Sequence, residues 1–232
     1  MVINMDLKIT DTEFIERFEY FAFDEVVNEE NCNLDIETRY IAVLAALIGC
    51  GGTDAYCQML KRALDDGISP IIVKEIVYQA TDYLGYGRML PFLNCTNEVM
   101  ADCGITLPLE GQSTTTLESR LEKGIEAQAE IFGEHMREAW KTGHINRWLA
   151  SNCFGDYYTR TGLSLAQREL ITFCFLMAQG GCEPQLIAHA KGNLNVGNDK
   201  DFLIMVVSQC LPYIGYPRSL NAIFCINKAM EE

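Results

Sequence analysis

The segment Gly180-Gly-Cys-Glu-Pro-Gln-Leu-Ile-Ala-His189 combines the end of one helix with the start of the next. Gly180 and Gly181 are predicted to end a helix, because glycine adopts left-handed backbone angles without a Cβ penalty. Pro184 fits the first turn of the following helix, where a backbone N–H is not needed. Cys182 therefore lies at or next to the N-cap of that helix. The pattern predicts two consecutive helices joined by a short turn.

The same segment brings two reactive side-chain types onto one helix face. A thiol at an N-cap faces unpaired amide groups and the positive end of the helix dipole, an environment that favours the thiolate. His189 lies seven residues after Cys182, two helical turns along the same face, with Gln185 between them. We therefore expect the thiol and the imidazole to share a pocket.

The sequence around this segment occurs twice in the chain. A hexapeptide ending in arginine, a Gly-Gly pair and a Gly-Tyr-x-Arg turn recur at offsets of 129 or 130 residues. The matching stretches are 163–168 with 34–39, 180–181 with 51–52, and 215–218 with 85–88. Helix stops that recur in register over this length indicate a tandem duplication.

Apolar residues recur at helical spacing through most of the chain, and glycine and proline fall between these stretches. The sequence therefore predicts an all-α fold built from a duplicated helical repeat. We divide it into a first repeat at residues 1–103, a linker at 104–116, and a second repeat at 117–232. Each repeat is too small to bury its apolar faces alone, so we expect the two to pack as an internal pseudo-dimer.

The two repeats differ at the positions that could carry chemistry. At an offset of 129, the pairs are Cys182 with Thr53, His189 with Leu60, and Glu169 with Tyr40. The scaffold is thus present twice, whereas the ionisable side chains are present once. We therefore expect one active site per chain, in the second repeat, and a degenerate site in the first.

Three residues are candidates for catalysis: Glu169, Cys182 and His189. Burial in the apolar run that follows it would let Glu169 exchange a proton near neutral pH. Cys182 could act as a nucleophile or be oxidised, and His189 could relay a proton or hold a water molecule. Structural roles remain open. Glu169 could pair with Arg168 or Arg218 on a helix surface, Cys182 could be inert, and His189 could be a satisfied core residue.

Composition restricts the partners of the chain. The formal charge of −14 argues against nucleic acid, whose phosphates need clustered lysine and arginine, and against anionic lipid surfaces. No run of sequence approaches the roughly 18 uncharged apolar residues of a membrane span. The N-terminal residues lack a signal-peptide pattern, so we expect a cytoplasmic protein whose partner is a small-molecule substrate.

The ten cysteines are scattered through apolar helical stretches and include no Cys-x-x-Cys pair. We expect them to be reduced, mostly buried and free of disulfide bonds. One Cys and one His seven residues apart do not make a zinc site, and His135 and His144 stand alone in a polar region. No glycine-rich phosphate loop follows a strand. We therefore expect neither a metal nor another cofactor.

Together, several of these motifs resemble the carboxymuconolactone decarboxylase family, which includes alkylhydroperoxidase D-like proteins. They are Arg168-Glu169-Leu170, the segment Gly181-Cys182-x-x-Gln185-x-x-x-His189, Gly197, and Tyr213-Ile-Gly215-Tyr-Pro217. The resemblance covers residues ~20–102 and ~150–230 and is stronger in the second half. It implies an all-α fold that assembles into trimers or hexamers. A tandem member is expected to be a homotrimer whose six repeats imitate a hexamer.

For alkylhydroperoxidase D-like members, the resemblance implies a Cys-x-x-Cys-x-x-x-His motif with an upstream glutamate. Cys182 takes the place of the first cysteine, His189 that of the histidine and Glu169 that of the glutamate. Gln185 stands where the second cysteine would be, so a disulfide-exchange cycle cannot close as it does in that branch. The residues that we assign to the substrate pocket are Gln185, Tyr213 and Tyr216.

Three functions are compatible with these residues. The favoured one is a thiol-dependent antioxidant enzyme of the peroxidase or peroxiredoxin type, in which a peroxide oxidises Cys182 and a thiol reductant recycles it. The alternative is a cofactor-free decarboxylase or related lyase, in which His189 and Glu169 move protons on a small carboxylated lactone. The third is a non-catalytic oligomer that binds a small molecule. The sequence does not name the substrate.

Overall fold

All regular structure is helical in residues 6–30 and 32–231, the part of the chain that the computed structural model describes. This confirms the all-α prediction. The α-helices are α1 (Leu7–Thr10), α2 (Thr12–Tyr20), α3 (Val26–Asn28), α4 (Ile36–Cys50), α5 (Thr53–Asp65), α6 (Pro70–Leu84), α7 (Tyr86–Asp102), α8 (Arg120–Phe132), α9 (His144–Trp148), α10 (Leu165–Gln179), α11 (Glu183–Asn195), α12 (Lys200–Ile214) and α13 (Tyr216–Glu231). A 3-10 helix covers Glu134–Thr142, and π-helical segments cover Phe21–Glu25 and Leu149–Tyr158. None of the described helices combines the length and apolarity needed to cross a membrane.

Helices α4 and α10 form the centre of the molecule. Residues 40–49 of α4 and 168–178 of α10 are all buried, so both helices are covered on every side. The two approach closely at Gly49, where an added Cβ would lie 2.8 Å from the Ala178 Cβ. A larger residue at this crossing would push the two core helices apart.

Two series of four helices follow one another with similar lengths. Helices α4 to α7 have 15, 13, 15 and 17 residues, and α10 to α13 have 15, 13, 15 and 16. The third helix of each series also packs against the first helix of the other, so that α6 contacts α10 and α12 contacts α4. Each half of the chain therefore contributes side chains to the surroundings of the other half.

The two series do not keep a single offset. Helices α4 and α10 begin 129 positions apart, whereas α5 and α11 begin 130 positions apart. The difference arises in the turn, because Gly51 and Gly52 join α4 to α5, while the three residues 180–182 join α10 to α11. The sequence comparison at 129 is therefore one residue out of register after the turn.

The shift changes two of the three pairs on which the sequence comparison depended. His189 lies in α11 at the position that Met59, not Leu60, occupies in α5. Cys182 corresponds to Gly52 and not to Thr53, since each is the N-cap residue of its helix. Glu169 still corresponds to Tyr40.

The structure confirms the local prediction for the opening segment. Gly180 is the C-cap of α10, Cys182 is the N-cap of α11, and Pro184 lies in the first turn of α11. Residues 104–116, the predicted linker, form no helix between α7 and α8. They lie against a later segment through hydrogen bonds such as Thr115 Oγ1 to the Gly155 carbonyl oxygen, at 3.0 Å.

A disulfide bond joins Cys57 of α5 to Cys95 of α7. This corrects the expectation that the cysteines form no bridges. The two residues are 38 positions apart and meet only because α5 and α7 pack together, a contact that cysteine spacing does not reveal. The other cysteines, including Cys182, are unbridged.

Candidate functional site

Glu169 lies in the first part of α10 and is completely buried. A capping box defines the start of this helix, since the Gln167 N–H donates to Ser164 Oγ at 3.2 Å and the Ser164 N–H donates to Gln167 Oε1 at 2.9 Å. The apolar residues that follow carry the helix through the core. Glu169 is therefore held on a rigid element, with its carboxylate between α10 and α11.

His189, on α11, faces this carboxylate. Its Nδ1 atom lies 2.9 Å from Glu169 Oε2. With the carboxylate ionised, Nδ1 carries the proton and donates it, which leaves Nε2 as the nitrogen available to a substrate. The rings of Tyr83 and Phe132 meet the imidazole edge-on, at centroid distances of 5.6 and 5.3 Å. The His189 side chain is 11% exposed, so the imidazole keeps a small solvent-facing edge.

The close approach of α11 to α10 depends on Gly192. An added Cβ at this position would lie 2.5 Å from Glu169 Oε2. The next residue, Asn193, donates its side-chain amide to the backbone carbonyl oxygens of Glu169 and His189, at 3.0 and 2.8 Å. The glycine makes room for the carboxylate, and the asparagine ties together the two helices that carry the pair.

A tyrosine holds the second carboxylate oxygen. The Tyr158 hydroxyl donates to Glu169 Oε1 at 2.8 Å. The same hydroxyl oxygen lies 2.9 Å from the Tyr83 hydroxyl and 2.6 Å from Thr172 Oγ1. Since the Tyr158 proton goes to the carboxylate, these two hydroxyls donate to Tyr158. Burial raises the pKa of both tyrosines well above the ordinary value, so both remain protonated donors.

Two residues of α6 bring the first half of the chain into this site. Tyr83 contacts the imidazole and Tyr158, and Gln79 Nε2 donates to Thr172 Oγ1 at 2.9 Å. The surroundings of Glu169 are thus built across the contact between α6 and α10. The expected location, within the second repeat alone, is therefore incomplete, because α6 of the first series also packs against α10.

Arg168, next to Glu169 in sequence, pairs with another carboxylate. Its Nη2 atom lies 3.0 Å from Glu75 Oε2, and Arg160 contacts the same carboxylate at 2.8 Å. The Arg168 guanidinium also donates to Gln79 Oε1 at 3.1 Å. A completely buried guanidinium needs such a partner, since an unpaired buried charge is strongly unfavourable. The alternative in which Arg168 and Glu169 form a surface ion pair is wrong.

Cys182 occupies the predicted N-cap, but its surroundings do not favour the thiolate. Burial raises the pKa of the Cys182 thiol above its ordinary value. A hydrogen bond with Gln179 and the charge of Arg218 oppose this shift, while the Glu183 carboxylate adds to it. Partial burial and the neighbouring acidic residue thus oppose the thiolate that the sequence predicted from the helix dipole.

The Cys182 sulfur is also engaged elsewhere. It lies 3.4 Å from the carbonyl oxygen of Leu176, one turn before the end of α10. Within the described part of the chain, no hydrogen bond joins it to Glu169 or His189. The structure brings together the carboxylate and the imidazole of the predicted trio, and it leaves the thiol outside their hydrogen-bonded network.

The three residues assigned to the substrate pocket have other surroundings. Gln185 is exposed on α11, and Tyr216 is 62% exposed at the start of α13. Tyr213 lines a cavity in the first half, where its ring meets Phe18 at 6.0 Å. The reason is that α12 packs against α4, so Tyr213 faces the first half. The corresponding residue at the Glu169–His189 pair is Tyr83.

Sequence reasoning missed several members of this network. Tyr83 corresponds to Tyr213 at an offset of 130, so the repeat itself contained the signal for it. Tyr158 lies in a π-helical segment, which lacks the ordinary helical periodicity and carried no signal. Gly192 could be identified only from the close packing of α11 on α10.

The other two histidines lie outside this site. His135 and His144 are exposed, as predicted, and His144 packs edge-on against Trp148 with 5.0 Å between ring centroids. Among residues 6–30 and 32–231, no group of three or more His, Cys, Asp or Glu side chains is arranged to hold a metal ion.

The chain is similar to known proteins over part of its length. Residues 144–227 match the carboxymuconolactone decarboxylase family. Over 121 residues the chain is 26% identical to a 4-carboxymuconolactone decarboxylase from Acinetobacter baylyi (strain ATCC 33305 / BD413 / ADP1), a match that covers 50% of this chain and 90% of that protein. The family match includes Tyr158, Glu169 and His189, whereas Gln79 and Tyr83 lie before it.

Proposed function

We propose that this chain, whose residues 144–227 match the carboxymuconolactone decarboxylase family, is a carboxy-lyase that acts on a small carboxylated lactone at the Glu169–His189 pair. The observation that carries the proposal is the 2.9 Å contact between His189 Nδ1 and Glu169 Oε2. It orients Nε2 and supports a positive charge on the imidazole. The name of the Acinetobacter relative agrees with this reaction class.

The proposed step needs one proton on carbon. Loss of carbon dioxide breaks the bond between a substrate carbon and its carboxylate, and the electron pair of that bond stays on the substrate. A lactone carbonyl conjugated with that carbon can delocalise the pair. The imidazolium of His189 then gives its Nε2 proton to the carbon, while Glu169 stabilises the cation through Nδ1. Water replaces the proton at the solvent-facing edge of the imidazole, so each turnover consumes one proton.

The remaining members of the network are positioning residues. Tyr158 occupies the Glu169 oxygen that does not face His189, so the carboxylate cannot rotate away from the imidazole. The Tyr83 and Phe132 rings pack edge-on against the imidazole and restrict its movement. A site held in this way keeps its donor aimed at one location before the substrate arrives.

A thiol-dependent antioxidant activity is the second candidate, and its support is the N-cap position of Cys182. It requires a thiolate at neutral pH, whereas burial raises the pKa of this thiol. It also requires an external thiol reductant, because Gln185 stands where a second cysteine would resolve the oxidised form. The carboxy-lyase function needs neither condition.

Release of carbon dioxide from 4-carboxymuconolactone tests the proposal. The wild-type chain is expected to release it, and His189→Gln is expected to lower kcat/KM by about 10²- to 10⁴-fold through loss of the proton donor. Circular dichroism would verify that the variant is folded. If the wild type releases no carbon dioxide but consumes peroxide in a way that Cys182→Ser abolishes, the thiol-dependent function is correct instead. If it does neither, the third alternative, a non-catalytic binding protein, applies.

A further inference from the structure

A cavity of about 430 Å³ lies between α1, α2, the first π-helical segment and α5 of the first half, and α12 of the second half. Its volume lies within the range of small-molecule sites, about 300 to 1,000 Å³. The residues that matter here are Phe18, Phe23, Met59, Arg62 and Tyr213. None of them belongs to the hydrogen-bonded network around Glu169.

This cavity lies at the position that corresponds to the Glu169–His189 site in the other half. Helices α5 and α12 line it, as α11 and α6 line the Glu169–His189 site. The corresponding residues are Met59 with His189, Tyr213 with Tyr83, and Tyr40 with Glu169. The first half therefore keeps a walled space at this position while it lacks the acid–base pair.

The buried Tyr213 hydroxyl has no acceptor for its proton among the described residues, since its contact with the Arg39 guanidinium involves only the hydroxyl oxygen. The Arg39 guanidinium also donates to Gln209 Oε1 at 2.9 Å and to the Ala22 carbonyl oxygen at 3.0 Å. Burial raises the pKa of Tyr213 to about 12, so the hydroxyl keeps its proton at neutral pH. An unpaired buried donor is unfavourable, and a ligand oxygen in the cavity would satisfy it.

Arg62 supplies a positive charge at the same cavity. Its guanidinium lies 4.5 Å from the centroid of the Phe23 ring, in a cation–π arrangement. Glu19 Oε1 is 3.7 Å away, which is beyond hydrogen-bond distance, and Lys8 Nζ holds that oxygen at 3.0 Å. Asp6, the other carboxylate at the cavity, accepts the backbone N–H of Lys8 at 3.0 Å. The Arg62 guanidinium is thus placed to donate to an added anion.

We propose that this cavity binds a small planar carboxylate and does not convert it. Arg62 holds the carboxylate, the Tyr213 hydroxyl donates to a ligand oxygen, and the apolar body of the ligand packs against Phe18 and Phe23. Conversion is absent because Met59 and Tyr40 occupy the positions of the acid–base pair. The chain then contains one site that converts its substrate, at the Glu169–His189 pair, and one site that binds a ligand without converting it. Binding of the carboxylate by Arg62 and Tyr213 does not depend on whether the other half is a carboxy-lyase.

Methionine methyl resonances give a direct test with the full chain. The protein is labelled with ¹³C at its methionine methyl groups and titrated with benzoate, a planar aromatic carboxylate. The Met59 resonance, assigned with Met59→Leu, is expected to shift saturably, because an aromatic ring in the cavity lies beside it. This readout does not involve turnover, so failure of the carboxy-lyase assay would leave it unaffected.

Matched variants and a matched ligand separate specific binding from general affinity. Arg62→Ala is expected to weaken benzoate binding by at least about fivefold. Benzamide, which lacks the charge, is expected to bind the wild type more weakly than benzoate does, by a similar factor. Tyr213→Phe removes one donor and is expected to weaken binding by about threefold or more. His189→Gln should leave the Met59 titration unchanged. A Met59 methyl that does not move, or equal binding by wild type and Arg62→Ala, would overturn the proposal.

Discussion

The Glu169 carboxylate accepts a hydrogen bond on each oxygen, from His189 on one side and Tyr158 on the other. This arrangement explains why two of the three predicted catalytic residues meet and the third does not. A carboxylate buried in α10 needs partners that donate to it, and an imidazole and a phenol serve that need. The Cys182 thiol, a weak donor at the N-cap of α11, lies against the Leu176 carbonyl oxygen instead. The sequence revealed the residue types, but their mutual distances depend on side chains from another segment.

Loss of the Tyr158 hydroxyl is expected to affect both activity and stability. Tyr158→Phe frees one Glu169 oxygen and leaves Thr172 and Tyr83 without their acceptor. The free energy of unfolding should fall by about 1–3 kcal/mol, measured by urea denaturation, and kcat/KM should fall by roughly tenfold. Tyr78→Phe is the control, since its ring keeps the contact with the Arg160 guanidinium. Equal effects of the two variants would contradict the role given to Tyr158.

Asp82 provides a prediction for pH dependence. Burial raises the pKa of Asp82 to about 8, the charge of Asp156 adds to the shift, and Oδ2 has no hydrogen-bond partner among the described residues. The folded state therefore binds a proton that the unfolded state releases near the ordinary value of 3.8. Stability contributed by this group is lost as pH rises from about 4 to about 8.

Asp82→Asn removes this dependence. Urea denaturation should show the variant to be more stable than the wild type at pH 8, with a smaller difference at pH 5. The control is Asp201→Asn, at an exposed position of α12. Its difference in stability from the wild type should not grow as the pH rises. A wild type that gains stability relative to Asp82→Asn as the pH rises would contradict the assignment.

At the scale of helices, sequence was informative about where elements end and less so about their register. Gly180 and Pro184 marked the turn between α10 and α11 correctly. A sequence comparison at an offset of 129 could not reveal the extra residue in that turn. Both turns begin with Gly-Gly, so sequence alone does not favour Gly52 over Thr53 as the counterpart of Cys182. The correct register depends on which faces of α5 and α11 are buried, a property of packing.

The packing of α11 on α10 leads to a prediction about Gly192. Gly192→Ala places a Cβ 2.5 Å from Glu169 Oε2 and 3.0 Å from Ile131 Cγ2, so the two helices or the carboxylate must shift. We expect the free energy of unfolding to fall by about 1–3 kcal/mol and the carboxy-lyase activity to fall with it. Gly87→Ala is the matched control, since a Cβ in that part of α7 meets nothing within 4 Å. Equal stability and activity of the two alanine variants would contradict the role given to Gly192.

At the scale of the whole molecule, the packing of α6 against α10 and of α12 against α4 decides what surrounds each site. It brings Tyr83 to His189 and Tyr213 to Met59. No local pattern in the sequence contains this information, because the residues involved are more than 100 positions apart. The disulfide bond between Cys57 and Cys95 was missed for a similar reason, since only the packing of α5 on α7 brings them together. The all-α class, by contrast, follows from local periodicity alone.

The predicted homotrimer can be tested on an exposed apolar stripe of α13. Tyr216, Leu220 and Phe224 lie four residues apart on one face and are 62%, 67% and 55% exposed. We expect light scattering to give three times the 26.1 kDa of one chain, and Leu220→Arg to lower that mass. Leu117→Arg, at an exposed position outside α13, is the control. A monomeric wild type would contradict the trimer.

The central claim is that the carboxylate–imidazole pair, and not the thiol, performs the chemistry. The most direct measurement compares kcat/KM for carbon dioxide release from 4-carboxymuconolactone by Glu169→Gln and Cys182→Ser. We predict a loss of about 10²-fold or more for Glu169→Gln and a value within about twofold of the wild type for Cys182→Ser. The opposite order, with Cys182→Ser inactive and Glu169→Gln active, would contradict the account.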